Sequence, residues 1–371
     1  MTVRERILTT LRGGRPDRVP LVLPGLTFRS RRQIQELADP LRRALAERVF
    51  EHTAFRVQVP SHINRMLVTP PQRIRHRRED LPDGRRRTHG TIDTPKGELT
   101  FLTEYSPQSN TTWQIKYPVE TLEDAEKIAS VPWERPAGLK PPDRNSLPDD
   151  FDRRGLLVCH ISSPMVCVAG MMKYEMFLEL CLTERKRIEE LTEICRRRIL
   201  DCLDVLLADG PIEYVWMGGS EWLTPPMASP ALYDALVQEQ ERSIISRVHE
   251  DGDTIVHVHC HGRVRHALPK TIDRGADFTE PVEPPPDGDI TMAEAKAIAD
   301  GRITLGGNLE ARVLTYASEG EVEAATRAAF DGGKRRFILQ PTEGPSPHIA
   351  ERELRNYMRV IDVWEELSPI D

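Results

Sequence analysis

The sequence predicts an α/β protein of the TIM (β/α)8 barrel class, for three reasons. From residue 156 onward, short apolar runs alternate regularly with longer amphipathic segments. A further apolar run at residues 18–23 brings the number of predicted strands close to the eight that such a barrel needs. The predicted strand ends also carry polar and acidic residues that a purely structural loop does not need. This alternation indicates parallel strands joined by crossover helices, and in such barrels the chemistry lies at the carboxyl ends of the strands.

The first part of the chain is predicted to be mainly helical. An amphipathic helix at residues 1–11 is closed by two glycines, and the apolar run at 18–23 is the first predicted strand. A second helix is predicted at residues 36–56, because apolar residues recur there at four-residue spacing: Leu41, Leu45 and Val49.

A small β insertion is predicted at about residues 88–117. Two extended runs flank the turn Pro95-Lys96-Gly97, which indicates an antiparallel hairpin, and a third extended run follows at 111–116. Thr121 and Asp124 then predict a capped helix at 121–130. The proline-rich stretch at 132–148 is interpreted as a connector, so residues 1–371 are predicted to form a single barrel domain with one insertion.

The remaining elements follow from the alternation itself. Strands are predicted at 156–161, 213–218, 254–261, 278–282, 303–309 and 337–340. Helices are predicted between and after them at 174–207 (two helices), 229–250, 264–274, 292–299, 319–332 and 348–367.

Charge excludes some classes of partner. The chain has 51 Lys and Arg against 58 Asp and Glu, a formal net charge of −7, which argues against general nucleic-acid binding. One local cluster of arginines is the exception, interpreted as solvated surface or as a patch for an anionic substrate or a partner protein: Arg73, Arg75, Arg77, Arg78, Arg85, Arg86 and Arg87.

A cytoplasmic location is predicted. The charged N-terminus lacks the apolar segment of a secretory signal, and no run approaches the length of a membrane span. The six cysteines are scattered without a Cys-x-x-Cys pair, which predicts reduced, buried thiols.

Three alternating histidines make residues 255–262 the first candidate site. On a strand, His257, His259 and His261 share one face, while the residues between them share the other: Val256, Val258 and Cys260. Imidazoles on one face of a strand end predict a metal site in a polar cavity, and the alternative is a set of structural histidines. His257 lies deeper along the strand, so it is predicted to support a ligand, to contact substrate, or to be simply a buried imidazole.

Other strand ends supply candidates for catalysis and substrate binding. Glu221 is interpreted as a ligand, a general base or a surface residue, and Glu283 as a functional carboxylate or the cap of a turn. Asn308 follows two glycines that allow close approach of a ligand or cofactor. His160 ends another strand and is a lesser candidate, whereas Glu310 is predicted to pair with an arginine.

Several segments together resemble the uroporphyrinogen decarboxylase superfamily, which includes the cobalamin-dependent methyltransferases acting on methanol, methylamines and methoxylated aromatics. The segments that carry the resemblance are Arg15-Pro16-Asp17-Arg18-Val19-Pro20, Thr94-Pro95-Lys96-Gly97, His259 to Gly262, Glu283 to Asp289, Gly306-Gly307-Asn308, and Pro341 to Gly344. The resemblance implies a TIM barrel, in agreement with the strand count. True uroporphyrinogen decarboxylases resemble one another in a Met-Arg-Gln-Ala-Gly-Arg segment, which residues 23–32 of this chain do not contain. The chain is therefore closer to the methyltransferase branch.

The resemblance also implies a ligand set. The methyltransferases carry a zinc site written His-x-Cys-Gly with a distant cysteine, and alignment on Gly262 matches these positions to His259, His261 and Glu343. Two imidazoles and a carboxylate make a more Lewis-acidic site than two thiolates and one imidazole. Activation of a substrate thiol is then less favoured, and polarisation of a methoxy or hydroxyl oxygen, or ionisation of a bound water, is more favoured.

The predicted function is metal-dependent methyl transfer between a small methylated substrate and a corrinoid or other carrier. The metal is predicted to be zinc, Glu221 or Glu283 to handle the proton, and the corrinoid to arrive on a partner protein. Two alternatives stay open: a metal-free decarboxylase, in which Arg29, Arg31 and Arg32 face the pocket, and a non-catalytic binder of an anionic small molecule. A homo-oligomer is compatible with the sequence.

Overall fold

A parallel β-sheet of seven strands forms the centre of the molecule. The structure, a computed structural model, describes residues 1–250 and 252–370. Its strands are β1 (Phe55–Val59), β2 (Ile74–Asp80), β3 (Arg86–Ile92), β4 (Leu99–Ser106), β5 (Thr111–Lys116), β6 (Gly155–Ser162), β7 (Tyr214–Gly218), β8 (Ile255–His259), β9 (Phe278–Glu280), β10 (Thr304–Leu309) and β11 (Phe337–Pro341). The sheet has the order β1-β6-β7-β8-β9-β10-β11, with every neighbouring pair parallel.

The sheet is curled, with the segment Pro20 to Val22 beside its last strand. Strands that are not neighbours in the sheet, β1, β7, β9 and β11, line one small internal cavity together. Leu21 forms a parallel bridge to Leu339, and backbone hydrogen bonds of 3.0 Å flank it on both sides. The predicted strand at 18–23 is therefore present only as this short segment, which Pro20 and Pro24 bound. Proline lacks the N–H that a longer ladder would need.

Most of the helices cover the outer face of the sheet, and the first helix lies across its amino end. The helices are α1 (Val3–Leu11), α2 (Arg31–Gln35), α3 (Pro40–Val49), α4 (Leu122–Ala129), α5 (Phe151–Arg154), α6 (Pro164–Ala169), α7 (Tyr174–Thr183), α8 (Arg185–Leu206), α9 (Pro230–Tyr233), α10 (Glu239–Glu250), α11 (Ala267–Asp273), α12 (Met292–Ala299), α13 (Ala311–Tyr316), α14 (Glu319–Ala329) and α15 (Glu351–Leu367). The alternation predicted from residue 156 onward is confirmed, although a π-helical turn at Asp234–Gln238 separates α9 from α10. Among the described residues, every helix falls short of the length and apolarity that a bilayer crossing requires.

The predicted helix at residues 36–56 is wrong in its last part. Helix α3 ends at Val49, and β1 begins at Phe55. From Phe55 the apolar residues recur at every second position, because Phe55, Val57 and Val59 pack toward the helices. The apolar period therefore changes from four residues to two within a few positions, and the helical pattern was extended too far.

The β insertion begins earlier than predicted. Strands β2 to β5 form a separate antiparallel sheet over residues 74–116, so the predicted start at residue 88 is wrong. Strand β2 consists largely of charged residues, which conceals the alternation that identifies a half-buried strand. Much of the arginine cluster lies here, where Arg75 pairs with Asp93 and both Arg85 and Arg87 pair with Glu104.

Two apolar layers fix the sheet. The larger core lies between the sheet and the outer helices. A second cluster fills the inner side near the amino ends of the strands, where Ile7 and Leu11 of α1 pack with Tyr214, Phe278 and Ile338. Helix α1 thus closes the amino end of the curled sheet, and the carboxyl ends are left for a binding site.

Candidate metal and substrate site

The inner face of β8 carries the histidines, as predicted. The ring of His257 lies 4.4 Å from the ring of Phe278 on β9, and the ring of His259 lies 5.0 Å from that of Trp216 on β7. The intervening residues belong to the outer core: Val256, Val258 and Cys260. Alternation along the strand therefore separates the imidazoles from the helical layer.

Glu280 brings two of these histidines together. Its Oε1 lies 2.7 Å from Nδ1 of His259 and 2.8 Å from Nε2 of His257, and its Oε2 accepts a hydrogen bond of 2.6 Å from Gln340. The parallel register of β8 and β9 places Glu280 directly opposite His259. On the other side of His257, Nδ1 is hydrogen-bonded to the hydroxyl of Tyr214. Glu280 is thus the centre of a buried polar network.

The donor set of this network fits a divalent transition metal. One ligand atom from each of His257, His259 and Glu280 lies within 4.8 Å of the others. The Nε2 atom of His257 is buried without a hydrogen-bond partner, because its approach to Glu280 lacks the geometry of a hydrogen bond. Two imidazole nitrogens and a carboxylate oxygen are ligands that zinc commonly takes in proteins. Buried polar atoms are rarely left without a hydrogen bond, so this nitrogen, which lies 2.8 Å from Oε1 of Glu280 without forming one, supports a ligand role.

The protonation of the network suits such a role. Burial lowers the pKa of His257 to about 4, so its imidazole is neutral at physiological pH. Burial alone would raise the pKa of Glu280, but its contacts with His257 and His259 hold that pKa well below the usual value. Glu280 therefore remains a carboxylate beside a neutral imidazole, the protonation states in which both groups bind metal.

A second imidazole–carboxylate pair lies at the mouth of the site. Nδ1 of His261 lies 2.7 Å from Oε1 of Glu283, and Oε2 of Glu283 accepts a hydrogen bond from the backbone N–H of Gly262. Burial lowers the pKa of His261, but the hydrogen bond to Glu283 and the neighbouring carboxylates outweigh it and raise that pKa. Among the described residues, Nε2 of His261 has no hydrogen-bond or ion-pair partner, so this nitrogen is available to a ligand.

A cavity of about 710 Å³ opens beside this pair. It lies at the carboxyl ends of β7, β8 and β9, the position that barrel enzymes use for chemistry. Its wall combines apolar and polar side chains: Tyr174, Glu221, Trp222, Met227, His261, Arg263, Glu283 and Asp287. Burial raises the pKa of Glu221, so this carboxyl holds a proton more readily than an exposed glutamate. The cavity can bind a small molecule against a proton donor and an imidazole.

The structure groups different residues from those expected of the metal site. His259 is common to both sets, but His257 and Glu280 take the places expected for His261 and Glu343. Glu343 is exposed, in the loop that follows β11. His261 lies two residues beyond His259, past the carboxyl end of β8, where it pairs with Glu283 instead.

The other predicted residues are distributed around the site. Glu221 and Glu283 both line the cavity, whereas Asn308 is half-buried at the end of β10 and is not part of the wall. The ring of His160 lies 4.9 Å from the ring of Trp216, tilted by 34°, on the inner face of β6. The prediction that Glu310 pairs with an arginine is wrong: among residues 1–250 and 252–370 its buried Oε1 has no partner. Burial and the nearby acids Glu283 and Asp287 raise the pKa of Glu310 to about 7.

The arginines expected at the pocket of a decarboxylase lie elsewhere. Arg31 pairs with Glu47 and Glu51, and Arg32 pairs with Glu36, all on the outer surface. None of these arginines, nor Arg29, belongs to the cavity wall.

Sequence reasoning missed the central carboxylate. In the sequence, Glu280 is one acidic residue in a predicted strand, and its role depends on the register between β8 and β9, which a single sequence does not give. Tyr214 and Gln340 were missed for the same reason, because they approach His257 and Glu280 from other strands.

The chain is similar to known proteins in sequence and in fold. A family model described as "Uroporphyrinogen decarboxylase (URO-D)" matches residues 145–364. Among solved structures, a methyltransferase from Methanosarcina mazei has a TM-score of 0.60 and 14% sequence identity, covering 99% of this chain and 99% of that chain. A B12-independent methionine synthase from Shewanella sp. W3-18-1 has a TM-score of 0.42 and 12% identity, over 80% of this chain and 76% of that chain. No curated protein matches the sequence. At these identities the structural likeness is one of fold.

Proposed function

The chain belongs to the uroporphyrinogen decarboxylase (URO-D) family, and on that premise we propose that it is a metal-dependent methyltransferase. The proposed reaction moves a methyl group between a small methylated substrate and a corrinoid carried by a partner protein, as the resemblance to the methyltransferase branch implies. We further propose that the curled sheet is a TIM barrel, with the segment Pro20 to Val22 in the position of the remaining strand.

The single observation that supports this proposal most is the convergence of His257, His259 and Glu280. None of the three lines the cavity of about 710 Å³ itself, but the ring of His259 lies 4.6 Å from the ring of His261 in its wall. These three side chains are the proposed ligands of one zinc ion. A bound zinc ion would polarise the heteroatom that carries the methyl group. Gln340 and Tyr214 hold Glu280 and His257 in place through hydrogen bonds, the supporting arrangement that is typical of metal ligands.

The residues of the cavity wall supply the remaining roles. Glu221, whose pKa is raised by burial, is the proposed residue that gives or takes the proton at the substrate heteroatom. Glu283 is less suited to proton transfer, because His261 and the backbone of Gly262 already occupy its two oxygens. Its proposed role is to orient His261 so that Nε2 faces the substrate.

Elemental analysis of protein purified without a histidine tag tests the metal site. The wild type is expected to contain about one equivalent of zinc, and a His257→Ala, His259→Ala double variant is expected to contain almost none. His348→Ala is the matched control, because this histidine is largely exposed and far along the chain from the cluster. Wild-type protein that remains metal-free after incubation with zinc would contradict the proposal.

A methyl-transfer assay tests the reaction itself. The purified protein is incubated with reduced cobalamin and a panel of methyl ethers, methylamines and methanol, and methylcobalamin is followed by its visible absorption. Transfer that requires zinc and falls in Glu221→Gln supports the proposed function. Release of carbon dioxide from an acidic substrate by metal-free protein would instead support a decarboxylase.

A further inference from the structure

Trp216 lies between two imidazoles on the inner face of the sheet. Its strand, β7, stands between β6 and β8, and the parallel register pairs Trp216 with His160 on one side and His257 on the other. The centre of its ring lies 4.9 Å from that of His160 and 5.0 Å from that of His259, with tilts of 34° and 35°. Aromatic rings at these separations are in contact. The indole therefore packs against an imidazole from each neighbouring strand.

The position of the indole depends on Gly218. This glycine is two residues further along β7, so it shares the inner face with Trp216, and the register pairs it with His259. A Cβ atom added to Gly218 would lie only 2.3 Å from Cη2 of Trp216. The backbone of Gly218 does not have a positive φ, so glycine is needed here for space rather than for conformation. The indole thus fills the place beside His259 that a side chain at residue 218 would otherwise occupy.

The ring of His259 needs such a contact to have a fixed orientation. Its Nδ1 lies 2.7 Å from Oε1 of Glu280, which holds one nitrogen but leaves the ring able to turn about that contact. The side chain is 19% exposed, so the surrounding protein does not enclose it fully. The lone pairs of an imidazole lie in the plane of the ring, and this plane sets the direction from which a metal ion can bind. A ring packed against its face therefore limits that direction.

We propose that Trp216 is a positioning residue of the metal site, which packs against the ring of His259 and holds it in the plane from which it binds the metal ion. His160 supports the other side of the indole, and Gly218 leaves the space that the indole needs. This role differs from that of Tyr214, which holds its histidine through a hydrogen bond. The effect on metal binding rests on the proposed function, whereas the orientation of His259 does not.

Nuclear magnetic resonance of metal-free protein with labelled histidines tests the orientation. The ring signals of His259 are identified by their loss in His259→Gln. The ring current of the indole shifts these signals, so they are expected to move in Trp216→Leu and to move less in Trp216→Phe, which keeps an aromatic ring. Trp113→Leu is the matched control, because Trp113 is 59% exposed on β5, and it is expected to leave them unchanged. Unchanged His259 signals in folded Trp216→Leu would overturn the proposal.

Chelator competition tests the consequence for zinc. Trp216→Leu is expected to weaken zinc binding by about 10–100-fold, the loss typical of residues that orient a ligand. Gly218→Ala displaces the indole and is expected to weaken it too, but to have little further effect in the Trp216→Leu background. Fully additive losses would overturn this account, because Gly218 would then act on the site without the indole.

Urea denaturation of the metal-free variants separates positioning from a purely structural role. If Trp216 serves only the fold, Trp216→Leu lowers the free energy of unfolding but leaves the zinc affinity of the folded protein unchanged, and the proposal is wrong. Wild-type protein that binds no zinc would contradict the proposed function instead. The histidine signals of the metal-free protein would then still decide whether Trp216 orients His259.

Discussion

A Cβ atom added to Gly306 would lie 2.8 Å from the Cβ of Glu280. Gly306 stands on β10 beside β9, and the same added atom would lie 2.8 Å from the ring of Phe278. Real Cβ contacts are longer, so glycine is needed at this position for Glu280 to stand between the two histidines. The glycine of one strand thus determines the place of the carboxylate on the next.

The variant Gly306→Ala is expected to displace Glu280 and to weaken the metal site. Overpacking of a well-packed interior typically costs about 1–3 kcal/mol, so the free energy of unfolding should fall by that amount. Urea denaturation measures this loss, and competition with a chelator measures the accompanying fall in zinc affinity.

Gly320→Ala is the control for this substitution. Gly320 lies in α14 with open space around it, so alanine there should raise the free energy of unfolding by about 0.5–1 kcal/mol through helix propensity. Equal effects of the two substitutions would show that Gly306 has no special role beside Glu280.

The arrangement of Gly306 and Glu280 shows where sequence reasoning ends. The two periods of apolar residues predicted the strands, the helices and the side of β8 on which His257 and His259 lie, because those properties depend on residues close in sequence. The pairing of His259 with Glu280 depends on the register between strands. The need for glycine at position 306 depends on contacts between β10 and β9. Neither the pairing of His259 with Glu280 nor this need for glycine could be predicted from a single sequence.

Local pattern also failed where charge replaced apolar alternation. Strand β2 pairs its whole length with β3, yet its residues are mostly charged on both faces. Its arginines find their acids on neighbouring strands, as Arg75 does at Asp93. Such a strand is specified by cross-strand pairs rather than by burial, and those pairs become visible only in the folded sheet.

Glu280→Gln and Glu283→Gln are expected to differ sharply in metal binding. Loss of a supporting hydrogen bond costs about 10–100-fold in metal affinity, and loss of a ligand costs more. Glu280→Gln should therefore weaken zinc binding by more than about 100-fold, whereas Glu283→Gln should weaken it by less than about tenfold. Chelator competition gives both values. If Glu283→Gln weakened zinc binding more than Glu280→Gln, the metal would instead be bound at His261, the ligand that the family resemblance implies.

The buried pair of Arg274 and Glu241 is expected to be essential for stability. Both side chains are fully buried, and Glu241 also accepts a hydrogen bond of 3.0 Å from Ser220, next to Glu221 of the cavity wall. Arg274→Met leaves the carboxylate of Glu241 without its counter-charge, which should lower the free energy of unfolding by about 3–5 kcal/mol. Chemical denaturation at neutral pH measures the loss. The double variant Glu241→Leu, Arg274→Met should recover much of it, and no recovery would contradict this electrostatic account.

The contact of His249 with Asp277 is expected to make stability depend on pH. Nε2 of His249 lies 2.8 Å from Oδ2 of Asp277, and this hydrogen bond, partly opposed by burial, raises the pKa of His249 above its usual value of 6.5. The folded state therefore binds the proton more tightly than the unfolded state. The added stability is fully present below the unfolded pKa, and it is lost as the pH rises through the higher folded pKa.

His249→Gln tests this prediction by difference. Between about pH 6 and pH 9, the free energy of unfolding of the wild type should fall by up to about 1 kcal/mol more than that of the variant, the size typical of a partly exposed ion pair. Urea denaturation across this range gives both curves, and the difference removes the contributions of the other histidines. Because Asp277 also accepts a hydrogen bond of 2.8 Å from the backbone of Val256, at the start of β8, its carboxylate stays in place in the variant. Parallel curves would mean that His249 is not protonated preferentially in the fold, whatever its distance from Asp277.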